Sequence, residues 1–419
     1  MESYNFDIVV CGAGPAGAST SLFLSKEGIR HLILDKTSFP RKKVCGDGIT
    51  PVCLTMLEQV IPGVKKDFAK PEYFKKINRF RLYGPSGRFA DLDPADYIPE
   101  GKSQLFTVSR FTFDEYLVNH VKQQESAEFW DQTKVLDYEK NKNGITLTVE
   151  RNGEPITIHC KMVVAADGDR SLFKKRVLGT AIDRTKMVAA IRTYYKNVKP
   201  INDNDQYEIF AFNEVLPGYF WIFPMADGTY NVGLGITSDV IQAKKINLKK
   251  LQNQLIAEHP LLADRFKDAE MLHAIEGSGL PIMMDKHPKV SDDRVLLVGD
   301  AASVADPISG EGIGPGLITG KYAALAAMEA LKADDFSAAF LQKAYDPKIH
   351  EKITNDYELR LKLFDWFMHR PWRIHVLLWA APKLGVIRHF FTNSVNARFK
   401  WSDLRNPMKW WGIFGVSGK

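Results

Sequence analysis

Residues 6–28 read "FDIVVCGAGPAGASTSLFLSKEG", and this stretch decides the fold. An apolar run comes first, followed by three glycines with the spacing G-x-G-x-x-G and then by an apolar pattern with helical spacing. The next segment, "HLILDK" (residues 31–36), is typical of a second strand that ends in Asp35. A strand, a glycine-rich turn, a helix and a second strand ending in an acid predict the first βαβ unit of a dinucleotide-binding fold.

Each residue of this unit has its own expected task. Gly12 forms the tight turn, Gly14 lets the backbone approach a pyrophosphate at the helix N-terminus, and Gly17 lets the helix pack closely on the strand. Asp35 is placed to accept a hydrogen bond from a ribose hydroxyl. The adjacent residues expected to contact the same cofactor are Pro15, Ala16 and Lys36.

The composition is that of an ordinary globular protein, with 419 residues of which 45% are hydrophobic and 25% charged. Four scattered cysteines without zinc spacing predict no metal site and favour a reducing cytoplasm. The N-terminus carries no signal-peptide pattern, and no stretch reaches the roughly 18 apolar residues of a membrane-spanning helix. We therefore expect a cytoplasmic protein that is soluble or lies at a membrane surface.

The excess of basic residues lies at the C-terminus. Residues 351–419 hold 12 lysines and arginines against 5 acidic residues, and they hold six of the eight tryptophans. Such a segment is typical of peripheral contact with an anionic membrane, and it also fits helices over a substrate tunnel or a dimer contact. No nucleic-acid-binding fold accompanies it, so we expect no nucleic-acid partner. The sequence leaves the oligomeric state open.

Two later strand ends carry related motifs. The segment "VVAADGDRS" (residues 163–171) contains Asp167 and Gly168, and "VLLVGDAASVADPISGEGIG" (residues 295–314) contains Gly299 and Asp300 before a second glycine-rich turn. In this order the motifs resemble those of FAD-dependent oxidoreductases of the aromatic-hydroxylase type. The resemblance implies that Asp300 contacts the FAD ribose. It also implies a helix, starting near residues 312–316, whose N-terminus stabilises negative charge on the flavin.

The same resemblance places Arg110, in "VSRFTFDEYL" (residues 108–117), beside the FAD. The later arginine expected after the Asp-Gly pair is replaced by Lys174, which weakens the case for a dedicated nicotinamide site. A second glycine fingerprint is also absent from the sequence, so electrons would come from transiently bound NADPH or from a ferredoxin-like protein. The further residues assigned to the FAD site are Lys43, Pro307, Gly310, Gly312, Ile313 and Gly314.

A second resemblance is narrower. The segment "PRKKVCGDGI" (residues 40–49) resembles the P-x-x-K-x-C-G-x-G element of the geranylgeranyl reductase family. The stretches "PGYFWIFPMADGTYNVGLGI" (residues 217–236) and "GDAASVADPISGEGIGPGLITGKYAA" (residues 299–324) resemble the family's aromatic strand pair and its flavin-side motif. Membership implies reduction of isolated double bonds in prenyl chains. Such a reaction adds a hydride from reduced flavin to one carbon and a proton to the other.

The resemblance makes Cys45, Gly46 and Asp47 the candidate catalytic segment. The three basic residues that precede Cys45 predict a lowered thiol pKa, which favours a thiolate that takes or relays a proton and works against a strong acid. Two other interpretations stay open. In the first, Cys45 is a small core residue. In the second, Asp47 is the N-cap of the helix predicted in "TPVCLTML", a position that Thr50 could also occupy.

Tyr219, Trp221 and Phe223 alternate along a predicted strand and therefore share one face. In the geranylgeranyl reductase family, the corresponding sheet covers the substrate face of the flavin, so these residues are the candidate substrate-binding wall. Aromatic faces suit a prenyl chain and stabilise carbocation character. An ordinary sheet core is the alternative.

Together these patterns predict a mixed α/β (α+β) protein with a Rossmann-type FAD-binding domain, an interleaved mixed β-sheet substrate domain and C-terminal helices. The FAD-binding domain is expected over residues 1–70, 100–185 and 275–335, the substrate domain over 71–99 and 186–274, and the basic, tryptophan-rich segment over 336–419. The predicted function is an FAD-dependent reductase of an isoprenoid lipid or a related unsaturated apolar substrate. The alternatives are an FAD-dependent monooxygenase of an aromatic or lipid substrate and a flavin protein that transfers electrons to quinone.

Overall fold

The computed structural model describes residues 2–92, 105–179, 187–201, 206–282 and 288–355, together with 357, 361–362, 366 and 370–380. The predicted domain boundaries at 99–100 and 185–186 lie outside these residues, as do residues 381–419 of the basic, tryptophan-rich segment. In the described part, two eight-stranded sheets and one three-stranded sheet form the framework, and the predicted mixed α/β architecture is confirmed.

The strands are, in chain order, β1 (Glu2–Cys11), β2 (His31–Leu34), β3 (Gly48–Ile49), β4 (Lys75–Ile77), β5 (Arg79–Tyr83), β6 (Phe89–Leu92), β7 (Leu105–Thr107), β8 (Ala127–Trp130), β9 (Thr133–Asn141), β10 (Gly144–Arg151), β11 (Glu154–Ala165), β12 (Val188–Lys196), β13 (Gln206–Phe210), β14 (Tyr219–Pro224), β15 (Tyr230–Thr237), β16 (Glu270–Met271), β17 (Glu276–Leu280), β18 (Ser291–Asp292) and β19 (Val295–Leu297).

The helices are α1 (Pro15–Lys26), α2 (Pro51–Leu57), α3 (Val64–Phe68), α4 (Arg110–Lys122), α5 (Leu172–Leu178), α6 (Ser238–Lys244), α7 (Leu248–Glu258), α8 (Ala263–Phe266), α9 (Ile313–Ala333), α10 (Ala338–Ala344), α11 (Asp346–Ile349) and α12 (Pro371–Ala380). A 3₁₀ turn covers Gly299–Ala302, and a π-helical turn covers His350–Thr354.

The first large sheet is the one that the opening motif predicts. Its parallel strands run in the order β8-β2-β1-β11-β19, and β18 is antiparallel at the edge. Residues 8–11 of β1 are an unbroken apolar run because helices and strands cover both faces of this sheet. Cys11 pairs with Leu34 on one side and with Ala165 on the other, so the motifs that follow these three strands meet at one edge.

Helices α1 and α9 pack against each other at short range. A Cβ on Gly320 would lie 2.4 Å from the Ala16 carbonyl oxygen and 2.9 Å from the Ser19 Cβ, so a glycine is required there. The Ser19 hydroxyl donates to the Leu317 carbonyl at 2.8 Å. The first residues of both helices line one cavity, which brings two sets of unpaired helical N–H groups to the same place.

The second large sheet runs in the order β16-β12-β15-β14-β13-β5-β6, with β17 also paired to β12. One face holds Phe220, Ile222, Val232 and Leu234, which form a core with residues of α7. The opposite face carries Tyr219, Trp221 and Phe223, as their alternation predicts. Helix α6 ends at Lys244 because Lys245 adopts a left-handed conformation (φ 53°), and α7 begins at Leu248.

The short sheet of β3, β7 and β4 holds the residues that follow Cys45. Gly48 pairs with Thr107, and the Thr107 hydroxyl donates to the carbonyl of Pro224 at the end of β14. The chain after Cys45 is therefore fixed to the strand that carries the aromatic residues.

Helix α12 presents apolar residues on two sides. Ile374 and Leu378 are buried against Ala90, Ala211 and Leu216, whereas the opposite side exposes other large residues. These exposed residues are Trp372, Val376 and Trp379. Among the described residues, no helix has both the length and the apolarity needed to cross a bilayer.

We predict that Gly320→Ala destabilises the protein by about 1–3 kcal/mol, because the added methyl group forces α9 away from α1. On an isolated helix the same change would stabilise by about 1 kcal/mol, so the sign of the change in unfolding free energy distinguishes steric crowding from helix propensity. Urea unfolding measures the effect. Glu329→Ala, on the exposed side of α9, is the matched control and should change stability by less than about 0.5 kcal/mol. An unchanged Gly320→Ala midpoint would contradict the packing argument.

Candidate functional site

A cavity of about 1180 Å³ lies between the two large sheets. One end is lined by the glycine-rich turns and charged side chains, and the other end is lined mostly by apolar side chains of the second sheet. All the residues that the sequence assigned to cofactor, substrate or catalysis line this cavity except Gly17, Asp47 and Gly314. Gly17 packs against the Gly12 carbonyl, and Gly314 lies beside Glu311.

The first glycine-rich turn is held open towards the cavity. Gly12 has φ 110° and lies so close to the Ala166 carbonyl that a Cβ would clash at 2.3 Å. A Cβ on Gly14 would meet only the Arg41 Nη2, at 3.3 Å, so this turn leaves its backbone accessible. Asp35 fixes the turn because one carboxylate oxygen accepts the Ala13 N–H at 2.9 Å.

Asp35 also binds its own loop. Its second oxygen accepts the N–H and the hydroxyl of Thr37 at 2.9 and 2.8 Å. To accept a hydrogen bond from a ribose hydroxyl, as predicted, Asp35 would use the second lone pair of the oxygen that already accepts the Ala13 N–H. That role stays a prediction.

Two guanidinium groups share one carboxylate at the charged end. Arg110 makes a bidentate pair with Asp114, at 2.6 and 2.8 Å, and Arg41 approaches the same carboxylate at 3.2 Å. Asp114 is fully buried, and both arginines line the cavity. One negative charge between two positive charges leaves this three-residue cluster with a net positive charge, which favours anionic ligands.

Two buried atoms beside the first glycine-rich turn have no hydrogen-bond partner among the described residues: the Nε of Arg41 and the Oδ1 of Asp167. They offer one donor and one acceptor at the cavity, next to the N-termini of α1 and α9. Helix N-termini and arginine bind phosphates. This donor set fits FAD, whose pyrophosphate would be held by Arg41 and the α1 N-terminus and whose hydroxyl groups would meet carboxylates.

Asp300 follows β19 in the same wall. Burial raises the pKa of its carboxyl group, and the charges of Lys43 and Arg110 oppose that change. A Cβ on Gly312 would lie 3.4 Å from Asp300 Oδ1, so this acid lies at the start of α9. The predicted contact of Asp300 with a ribose is compatible with this placement and stays a prediction.

We call Tyr219, Trp221 and Phe223 the aromatic wall. Each of them is in register with one residue of β15 and one of β12, in the sets Tyr219–Gly235–Ala190, Trp221–Gly233–Arg192 and Phe223–Asn231–Tyr194. A Cβ on Gly233 would lie 2.4 Å from the Trp221 ring, so glycine gives the indole its place. In "NVGLG" (residues 231–235) the glycines alternate with apolar residues, which places them on the face of the sheet that carries the aromatic residues. The sequence analysis did not use this pattern.

Cys45 lies where the charged and apolar ends meet. Its side chain is half-buried and lines the cavity. A Cβ on the next residue, Gly46, would lie 3.5 Å from the Phe223 ring and 3.7 Å from the Trp221 indole nitrogen. The structure thus brings the candidate catalytic segment and the candidate substrate wall together.

The predicted lowering of the Cys45 pKa is wrong in direction. Burial raises the pKa of this thiol, and the charge that chiefly opposes the rise belongs to Arg110. Of the three preceding basic residues, Arg41 is directed towards Asp114 and Lys43 lies 3.9 Å from Asp169, so both of these cations face carboxylates. A raised pKa favours the protonated thiol over the thiolate, and the protonated form suits a proton donor.

Asp47 does not cap α2. That helix starts after Thr50, whose hydroxyl instead donates to Glu311 at 2.5 Å. The buried Asp47 carboxylate accepts hydrogen bonds from the Tyr194 hydroxyl at 2.5 Å, the Asn231 side-chain amide at 2.8 Å and the Arg110 backbone N–H at 3.2 Å. Burial raises its pKa, and these hydrogen bonds oppose the rise. Asp47 lies behind the cavity wall and supports it.

We predict that Cys45 reacts slowly with iodoacetamide at neutral pH and that its rate keeps rising at a pH where free cysteine has reached its plateau. The reason is the raised thiol pKa, since the thiolate is the reactive form. Peptide mapping by mass spectrometry measures the rate at each pH, with N-acetylcysteine in parallel. Cys11, Cys53 and Cys160 are buried and serve as internal controls. If the alkylation rate of Cys45 instead stopped rising at a lower pH than that of free cysteine, the thiol pKa would be lowered, as the sequence predicted.

Comparison with known proteins gives consistent results. Residues 5–318 match a family model described as an FAD-binding domain. A digeranylgeranylglycerophospholipid reductase of Methanocaldococcus jannaschii is 30% identical over 350 residues, 83% of each chain. A menaquinone reductase of Mycolicibacterium smegmatis is 30% identical over 352 residues, 81% of each chain. The structure of a geranylgeranyl bacteriochlorophyll reductase-like protein of Thermoplasma acidophilum shares the fold, with a TM-score of 0.72 at 23% identity over 94% of this chain and 90% of that chain.

Proposed function

Because this chain belongs to the FAD-binding-domain family and is an FAD-dependent oxidoreductase, we propose that it saturates carbon–carbon double bonds in an isoprenoid lipid. One observation carries the proposal: the Cys45 thiol lies at the junction between a charged, glycine-rich cavity end and an apolar, aromatic one. The names of the two relatives support it, since one is a glycerophospholipid reductase and the other a menaquinone reductase.

The roles of the residues follow from their places. FAD, when bound and reduced, supplies the hydride. Cys45 holds at its sulfur the proton that the second carbon of the double bond needs, and solvent returns a proton to the thiolate afterwards. Trp221 and Phe223 provide an apolar surface for the chain of the substrate, which keeps water away from the reacting carbons. Arg41 and Arg110 would hold the anionic parts of the cofactor.

The electron donor in this proposal is either NADPH that binds transiently or a ferredoxin-like protein. The sequence contains no second glycine fingerprint for a resident nicotinamide, which supports a donor that comes and goes. Basic residues at the charged end of the cavity, among them Lys36, Lys42 and Arg170, would attract either kind of anionic donor.

We predict that yellow holoprotein, given NADPH, reduced ferredoxin or dithionite, adds hydrogen to a polyprenyl lipid extract with and without air. Mass spectrometry of the lipids measures the gain of one pair of hydrogens per double bond. Oxygen incorporated only in air would instead establish the monooxygenase alternative. Electrons passed to quinone without any change in the lipids would establish the electron-transfer alternative.

We predict that Cys45→Ala lowers the kcat for double-bond reduction by at least about 10²-fold, the usual effect of losing a general acid. Cys45→Ser, which keeps the size of the side chain but is a much weaker acid, should be almost as slow. Both variants should keep their flavin absorbance, because the FAD contacts lie elsewhere in the cavity. Full activity in Cys45→Ala would show that the thiol is a packing residue.

The proposal includes contact with an anionic membrane through α12. The exposed side of this helix carries two tryptophans, and Arg373 lies 4.1 Å from the ring centre of Trp366 and 5.4 Å from that of Trp372. Tryptophan beside arginine suits the headgroup region of a bilayer. Ile374, on the buried side of the same helix, lines the cavity, so a lipid chain would have a short path inside.

We predict that Trp372→Ser with Trp379→Ser lowers binding to phosphatidylglycerol vesicles by at least about tenfold, since two interfacial anchors are lost. Vesicle co-sedimentation measures this binding. Tyr73→Ser, which removes an equally exposed aromatic residue elsewhere, is the matched control. Equal binding by the double variant and the control would contradict membrane contact at α12.

A further inference from the structure

Asn231, which the sequence did not single out, joins the two parts of the candidate site. Its side chain is fully buried on β15. The amide nitrogen donates to the Cys45 carbonyl and to Asp47 Oδ2, both at 2.8 Å, and the amide oxygen accepts from the Trp221 indole at 2.9 Å. Both donors and one acceptor position of the amide are thus used.

The chemistry of the partners fixes which way this amide points. The indole nitrogen of Trp221 can only donate, and the Cys45 carbonyl can only accept. An inverted amide would place its oxygen against the Cys45 carbonyl and the Asp47 carboxylate, and two N–H groups would face each other at the indole. Asn231 therefore has one allowed orientation, and it holds the cysteine segment and the indole at a set separation.

The sheet register extends this arrangement to Tyr194. Asn231 pairs with Tyr194 on one side and with Phe223 on the other. The Tyr194 hydroxyl donates to the same Asp47 oxygen as the Asn231 amide. Asp47 adopts a left-handed conformation (φ 63°), which turns its carboxylate back towards these two donors. The cysteine segment is thereby held at the Cys45 carbonyl by Asn231 and at the Asp47 carboxylate by Asn231 and Tyr194.

We propose that Asn231 is a positioning residue that fixes the Cys45 thiol against the aromatic wall by tying the Cys45 carbonyl and the Asp47 carboxylate to the Trp221 indole. The proposal rests on the proposed function for the use made of the thiol. Its geometric content concerns residues of this chain alone, so it is testable without turnover.

The test compares iodoacetamide alkylation of Cys45 in holoprotein carrying Asn231→Ala, Trp221→Phe or no substitution, at a series of pH values. With Asn231→Ala, the segment moves away from the wall and becomes hydrated. We expect alkylation to be at least about tenfold faster at neutral pH, with its midpoint shifted towards that of free cysteine, because burial is what raises the pKa. Trp221→Phe, which breaks one hydrogen bond but keeps an aromatic surface, should give a smaller shift in the same direction.

Thr193→Val is the matched control. It removes the buried hydrogen bond from Thr193 to the His273 carbonyl in the loop between β16 and β17, and its side chain lies on the opposite face of β12 from Tyr194. Its alkylation profile should equal that of the unsubstituted protein even if the stability falls. A folded Asn231→Ala variant with an unchanged profile would overturn the proposal and make Asn231 a core residue. If Asn231→Ala does not fold, Trp221→Phe decides the question, and an unchanged alkylation profile in that variant would also overturn the proposal.

Turnover gives a separate reading. In a working reductase, Asn231→Ala should lower kcat by at least about tenfold, with a small change in KM for the lipid, because the substrate wall remains and the proton donor is displaced. If the protein reduces no isoprenoid lipid, the proposed function fails. The alkylation profiles then still decide whether Asn231 positions the thiol.

Discussion

The contact between α1 and α9 is the constraint on which the site depends. Glycines at positions 17 and 320 let backbone and helix approach to distances that any side chain would prevent. Because of this approach, two helices from opposite ends of the sequence start at the same edge of the parallel sheet. The positive ends of both helix dipoles then act on one cavity, where they add to the cationic side chains in favouring an anionic cofactor.

The remaining charges are arranged so that few of them are uncompensated. Asp114 is buried between Arg41 and Arg110, and Asp47 is buried among the donors of Tyr194, Asn231 and the α4 backbone. A buried carboxylate is tolerated when donors satisfy its oxygens, and removing a partner is costly. The polar groups are thus concentrated in the walls, which leaves the apolar end of the cavity free for a hydrocarbon chain.

Local patterns in the sequence predicted the βαβ unit, the helix that begins at Ile313 and the shared face of Tyr219, Trp221 and Phe223. Each of these depends on residues that are close in the chain. The pairing of Asn231 with Cys45 was not predicted, because 186 residues separate them and the register of β15 decides the contact. The sign of the Cys45 pKa change was wrong for a related reason, since the sequence shows neighbouring cations but neither burial nor the distant carboxylates that face them.

The segment from Arg41 to Cys45 has a further consequence. Arg41 lies over Gly14 at the cofactor end of the cavity, and Asn231 holds the Cys45 carbonyl at the aromatic end. Four residue steps extend over at most about 14 Å, so the length of this segment limits the distance between the Arg41 and Cys45 backbones. Its length is therefore under a stricter constraint than its composition. One inserted residue would displace the sulfur by about 3.5 Å, more than the whole length of the hydrogen bonds that hold it.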